Sequence, residues 1–180
     1  MKRNILIAFA TSSLLFYSTQ AFALINFSVG VPFSHTFTGK YDGGDEVKSD
    51  GVSGMFIQVG MPLLPGIGMD NYKTKIKGYE IDLDTMIFNL YYLLPIPIIN
   101  LTLGAGVGST TLQCSDCSTY YDKGSASQWY ASVGMPIIPL FDLHLSYRSV
   151  SSKIKIKSAG GGGEHDFSGN VMGLGIGFNF

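Results

Sequence analysis

Residues 172–180 read MGLGIGFNF. Met172, Leu174, Ile176, Phe178 and Phe180 fall on one side of a two-residue period, and Gly173, Gly175, Gly177 and Asn179 on the other. Successive side chains point to opposite faces in a β-strand. The stretch therefore predicts a strand with one large apolar face and one face with almost no side chains. Two faces so unlike each other require two different surroundings.

The alternation recurs upstream. Phe27, Val29, Val31, Phe33 and Phe37 oppose Ser28, Gly30, Ser34 and Thr36; Met55, Ile57, Val59 and Met61 oppose Gly54, Phe56, Gln58 and Gly60. Leu101, Leu103, Ala105 and Val107 oppose Asn100, Thr102, Gly104 and Gly106; Phe141, Leu143, Leu145 and Tyr147 oppose Asp142, His144, Ser146 and Arg148. The period predicts eight strands, at 25–37, 52–62, 66–77, 80–94, 98–110, 127–136, 140–157 and 167–180. Their connections alternate between short proline-bearing turns (PLLPG, LPIPI, PIIPL) and polar segments (GKYDGGDEVKSDG, QCSDCSTYYDKGSAS, SAGGGGEHD). Short turns at one end and long loops at the other are characteristic of outer-membrane barrels.

One hairpin supplies a register. With Gly78 and Tyr79 as its turn, Lys77 faces Glu80, Lys75 faces Asp82 and Lys73 faces Asp84, while further along the same face Met69 meets Phe88 and Ile67 meets Leu90. A face that changes from charged to apolar describes a strand leaving a bilayer.

A soluble sandwich also alternates, with its apolar side chains inward. Here the opposite face carries Gly, Ser, Asn, Gln, Asp, His and Arg, so the apolar face is assigned to lipid and the polar face to an interior. Hydrocarbon leaves no partner for free N–H and C=O groups, which closes the strands into a cylinder. Met86 to Leu94 matches the roughly 9–11 residues of a tilted membrane strand. Phe27, Tyr92, Phe141, Phe178 and Phe180 are placed in an inner aromatic ring, and Phe37, Trp129 and Tyr147 in an outer one. The expected fold is all-β, an eight-stranded antiparallel up-and-down transmembrane β-barrel. An eight-stranded interior is just wide enough for side chains to fill, and inward glycines spare space in it.

Ahead of the strands, residues 1–23 have Lys2 and Arg3, an apolar run from Ile5 and a final Ala21-Phe22-Ala23, the pattern of a cleaved signal peptide. The barrel domain is then 24–180. The chain has a net charge of -1, which speaks against a nucleic-acid partner.

With its strand alternation and the terminal Met172, Leu174, Ile176, Phe178, Phe180 series, the chain from Leu24 to Phe180 resembles the small outer-membrane β-barrels of the OmpA transmembrane-domain and OmpX type. The resemblance implies residence in the bacterial outer membrane among lipids and lipopolysaccharide, and a monomer without a cofactor. It also implies recognition by the barrel-assembly machinery through the strand ending at Phe180. The function implied is structural, or surface interaction and adhesion through the outer loops. A narrow conduit for small or hydrophobic molecules, as in OmpW-like barrels, is the alternative, and a lipid A-modifying enzyme a third reading.

Arg148, the last arginine in the chain, points inward and must be paired, with Asp70 and Asp142 as the expected partners. Gln58, Asn89, Tyr130 and His144 are expected to complete a polar network filling the lumen. His144 and Ser146 resemble the histidine–serine pair of lipid A deacylases, but they point away from lipid and lack a third member, so no catalytic residue is assigned. Cys114 and Cys117 are expected to form a loop disulfide in an oxidising compartment rather than a metal site, which would need two further ligands. Lys153, Lys155 and Lys157, with no run of acids expected opposite, are candidates for contact with lipopolysaccharide phosphates.

Overall fold

The computed structural model describes residues 25–41, 44–61, 64–96, 99–138 and 140–180. The proposed signal segment 1–23 and several proline-turn positions lie outside them. Eight long strands form a closed, all-antiparallel barrel: β1 (Asn26–Phe37), β2 (Ser49–Gly60), β3 (Pro65–Ile76), β4 (Asp82–Ile96), β5 (Ile99–Gln113), β6 (Gly124–Ile138), β7 (Phe141–Lys155) and, after a short strand β8 (Glu164–Asp166), β9 (Gly169–Asn179). Each long strand pairs with the next, and β9 pairs with both β7 and β1, which closes the cylinder. The two chain ends of the sheet meet where Ile25 and Phe180 exchange backbone hydrogen bonds of 3.0 and 2.9 Å. Each of the eight long strands thus has a paired neighbour on both sides over at least part of its length, as closure in a bilayer requires.

The β3–β4 hairpin has the register its charges require: Lys75 opposes Asp82, Lys73 opposes Asp84, Met69 opposes Phe88 and Ile67 opposes Leu90. Lys73 lies 3.7 Å from Asp82 and 3.6 Å from Asp84. Lys77 and Glu80 differ from expectation. The ladder ends at Ile76, whose N–H donates to Ile81 at 3.0 Å, so both residues belong to the turn.

The outward face carries an apolar band. Val31, Phe33, Phe88, Leu90, Val107, Met135 and Leu145 are all exposed on it. Near the short turns Phe178 stacks on Phe180 and contacts Phe27 and Phe141, and toward the loops Trp129 lies 5.8 Å from Tyr147. Phe37 is not in this outer ring. A β-bulge between Pro32 and Ser34 shifts the alternation by one residue, so His35 and Phe37 turn inward. One extra residue on a strand is enough to exchange its faces.

Toward the long loops the polarity of both faces inverts while the period persists. Lys73, Lys75, Lys153 and Lys155 face outward there, whereas Ile76, Leu83, Leu112 and Ile154 are buried inside with Phe37, Val47, Cys117 and Phe167. That part of the barrel has the apolar-inward, polar-outward pattern of a soluble protein. The same strand therefore carries two opposite solvent codes along its length.

Candidate functional site

Inside the apolar cap the lumen is polar, and the glycines of β9 shape it. A Cβ on Gly173 would strike the Phe56 ring, one on Gly175 the His144 imidazole, and one on Gly177 would approach the Asp142 carboxylate at 2.5 Å. The alternating glycines that mark the last strand make room for side chains of β2 and β7.

At mid-height Arg148 reaches from β7 to Asp70 on β3, with Nε donating to Oδ2 at 2.8 Å; the two side chains are 2% and 0% exposed. Gln128 of β6 donates through Nε2 to the same Asp70 oxygen at 2.5 Å and to Asn89 Oδ1 at 2.7 Å. The guanidinium lies 3.5 Å above the Phe56 ring centroid and 5.0 Å from that of Tyr130, and Nη1 also donates to Ser146 Oγ. Carboxylate, aromatic faces and a hydroxyl together satisfy a charge that burial would otherwise make prohibitive. Tyr130 OH accepts from Gln58 Nε2 at 2.8 Å, and Gln58 Oε1 accepts from Ser28 at 3.1 Å.

Nearer the short turns Asp142 forms a second, separate cluster. It lies 3.1 Å from His144 Nδ1 and accepts from Asn100 and Asn179 at 3.2 Å each, while Asn26 donates to Asn179 at 2.8 Å. Asp142 does not pair with Arg148; register sets it beside Gly177 and Pro136, at the end of the barrel. A cavity of about 20 Å³ among Asn26, Gln58, Asn100, Asp142 and His144 has room for about one water.

The structure thus brings Asp70, Arg148 and Asn89 together, links Gln58 to Tyr130, and sets Asp142 and His144 apart. Gln128, Asn100, Asn179 and Phe56 take part without having been singled out from the sequence. Their inward position in the two-residue period was the available signal. Ser146 donates to the Gly173 carbonyl at 3.2 Å and holds Arg148, so its hydroxyl is engaged by groups other than His144.

At the loop end, rings from the three long loop regions and the β3–β4 turn converge. Tyr41 lies 6.1 Å from Tyr79 and 5.2 Å from His165, which is 5.8 Å from Tyr121. Burial and the neighbouring hydroxyls of Tyr79 and Tyr121 raise the pKa of Tyr41 above the ordinary phenol value. Cys114 and Cys117 are joined in a disulfide leading into the single helical turn α1 (Cys117–Tyr120). The expectation that Lys153, Lys155 and Lys157 lack opposing acids is corrected. Strand β8 lays Asp166 opposite Lys153 and Glu164 opposite Lys155, Lys153 bridges to Glu164 at 3.2 Å, and Lys157 lies 3.8 Å from Asp122. Among the described residues no cluster of metal-ligating side chains occurs.

Compared as a sequence, the chain matches no family model and no curated protein. Its structure is similar to that of Neisserial surface protein A, with a TM-score of 0.64 at 11% identity over 87% of this chain and 97% of that one. It is also similar to outer membrane protein W of E. coli, with a TM-score of 0.53 at 10% identity over 88% and 98% of the two chains. Closure of the strands, the outward apolar band and these likenesses converge: the chain has the fold of the small eight-stranded outer-membrane β-barrels.

Proposed function

We propose that the protein is a monomeric, non-enzymatic barrel of the bacterial outer membrane whose lumen is packed with side chains and whose role, structural or in surface interaction, is exercised through its loops. The supporting observation is the cross-section at Arg148, where a buried ion pair, Gln128, Asn89 and two aromatic rings occupy the interior. The apolar cluster around Phe37, Leu83, Leu112 and Phe167 adds a second obstruction toward the loops. Such an interior favours a scaffold over a conduit, because a passing solute would have to break the ion pair or part the cluster. The ring contacts among the loops favour a surface of fixed shape, suited to holding a partner. In this reading the outward apolar band meets lipid, and the strand ending at Phe180 is the segment presented to the barrel-assembly machinery.

Single-channel recording in planar bilayers tests the packed lumen. The expected record is indistinguishable from the bare bilayer. Sustained unitary openings would overturn the reading in favour of a narrow conduit.

A further inference from the structure

The barrel wall is not uniformly sealed. The β1–β2 ladder runs from Asn26↔Gly60 to Gly30↔Phe56 and stops, and the two segments are bridged again only at Lys40↔Glu46, among the described residues. Between these points β1 stays paired to β9 as far as Phe37↔Gly169, and β2 stays paired to β3 as far as Ser49↔Ile76. Each lip of the slit is thus a strand held on its far side alone. The sequence builds the interruption. Pro32 has no N–H to donate, the bulge follows immediately, and Gly51 and Gly54 on the facing strand have φ of 123° and 147°.

A cleft of about 660 Å³ occupies the upper part of this slit. It is lined both by outward residues (Thr36, Lys40, Lys48, Lys77) and by inward ones (His35, Phe37, Val47), so it cuts into the wall. Its three lysines face one acid, Glu46, which lies 3.5 Å from Lys48. His35 is 6% exposed, its Nδ1 is engaged by Thr74 at 2.8 Å, and its Nε2 has no hydrogen-bond partner among the described residues. Immediately below the cleft lie Val31, Phe33 and Met55, exposed by 52%, 53% and 48% on the lipid-facing wall.

We infer that this cleft binds the phosphorylated headgroup of an outer-leaflet lipid. Excess ammonium groups and the unpaired strand edges supply donors for an anion with several oxygens. The apolar residues directly beneath offer a surface for acyl chains, which distinguishes a phospholipid or glycolipid from a soluble phosphate. Strand β8 lies beside the cleft, with Asp166 N–H donating to the Lys40 carbonyl at 3.0 Å, and beyond it Lys153 and Lys157 are met by Glu164 and Asp122. The inference rests on the outer-membrane reading above.

The test is native mass spectrometry of the folded barrel in zwitterionic detergent, titrated with diphosphorylated lipid A and, separately, with its dephosphorylated form. The triple variant K40Q/K48Q/K77Q is compared with K153Q/K155Q/K157Q, and folding of each is checked by heat-modifiable gel migration. The first triple is expected to weaken diphosphorylated lipid A binding on the order of a hundred-fold. The second is expected to stay within about three-fold, Lys153 and Lys157 being engaged by acids. Equal losses in the two triples, equal affinity for the dephosphorylated lipid, or full displacement by excess inorganic phosphate would each overturn the inference. A chain that folds only in plain buffer would overturn the membrane reading as well, whereas a well-folded barrel that retains no lipid A overturns the headgroup site alone.

Discussion

Asp70 is the residue whose removal probes the lumen most directly. It is fully buried, and its carboxylate receives Arg148 Nε at 2.8 Å and Gln128 Nε2 at 2.5 Å. Replacing it by alanine leaves a guanidinium that is 2% exposed with a serine hydroxyl and two ring faces, and no counter-charge within bonding distance among the described residues. Breaking a buried pair by deleting one partner costs about 3–5 kcal/mol, because the surviving charge is uncompensated. The ring contacts recover part of this, so Asp70→Ala is expected at the lower end, about 3 kcal/mol. Arg148→Ala is expected to cost a similar amount, through the stranded carboxylate and the lost packing on Phe56. The double variant removes both charges at once, so its cost should fall short of the sum of the single costs by at least about 1 kcal/mol. Urea unfolding in detergent or lipid vesicles measures all four corners, with Trp129, the single tryptophan, as reporter; its side chain is 56% exposed on the outer wall. An Asp70→Ala cost under about 1 kcal/mol, or strict additivity in the double variant, would refute the idea that this pair organises the lumen.

Three further outcomes are expected. Gly175→Ala should destabilise the barrel by about 1–3 kcal/mol, because the new methyl enters the space of the His144 ring and comes within 2.7 Å of the Val29 carbonyl. Combining it with His144→Ala should recover part of that loss, and no recovery would show that the imidazole is not what the glycine accommodates. Breaking the Cys114–Cys117 bond by paired serine substitution should lower stability by about 2 kcal/mol, the value for so short a ring in the chain-entropy model. An unfolding midpoint indifferent both to the substitution and to reductant would argue that the bond does not constrain the loop. Tyr41→Ala should loosen the ring cluster joining the loops to the β3–β4 turn, read as faster limited trypsin cleavage after Lys40 and Lys123. Unchanged cleavage would mean that the loops are ordered independently.

The β3–β4 hairpin shows how far local chemistry reached. Its lysines on one arm and acids on the other specified the register, and a one-residue slip would set Lys75 opposite Ile81 or Leu83 instead of Asp82. The inward orientation of Arg148, Asp142 and His144 was equally legible, since it follows from one strand's pleat. Phe37 was misplaced for a reason the sequence conceals. A bulge at Phe33 costs one residue of alternation, and it shows only in the pairing with β9, a strand more than a hundred residues away in the chain. The acids opposite Lys153 and Lys155 escaped notice in the same way, because β8 pairs with β7 only after the chain has turned back through the 158–163 segment.

From its own letters, then, the chain determined that eight long strands form, which side of most of them carries the outward apolar band, and that a positive charge would be buried within. A strand's period and the contrast between its faces are properties of neighbouring residues, imposed by backbone sterics whatever the rest of the molecule does. Closure into a barrel decided the rest. Asp70 and Arg148 stand 78 residues apart, and Gln128 meets Asp70 across 58. Those encounters depend on the stagger of all eight strands around the cylinder, a quantity that no single segment carries.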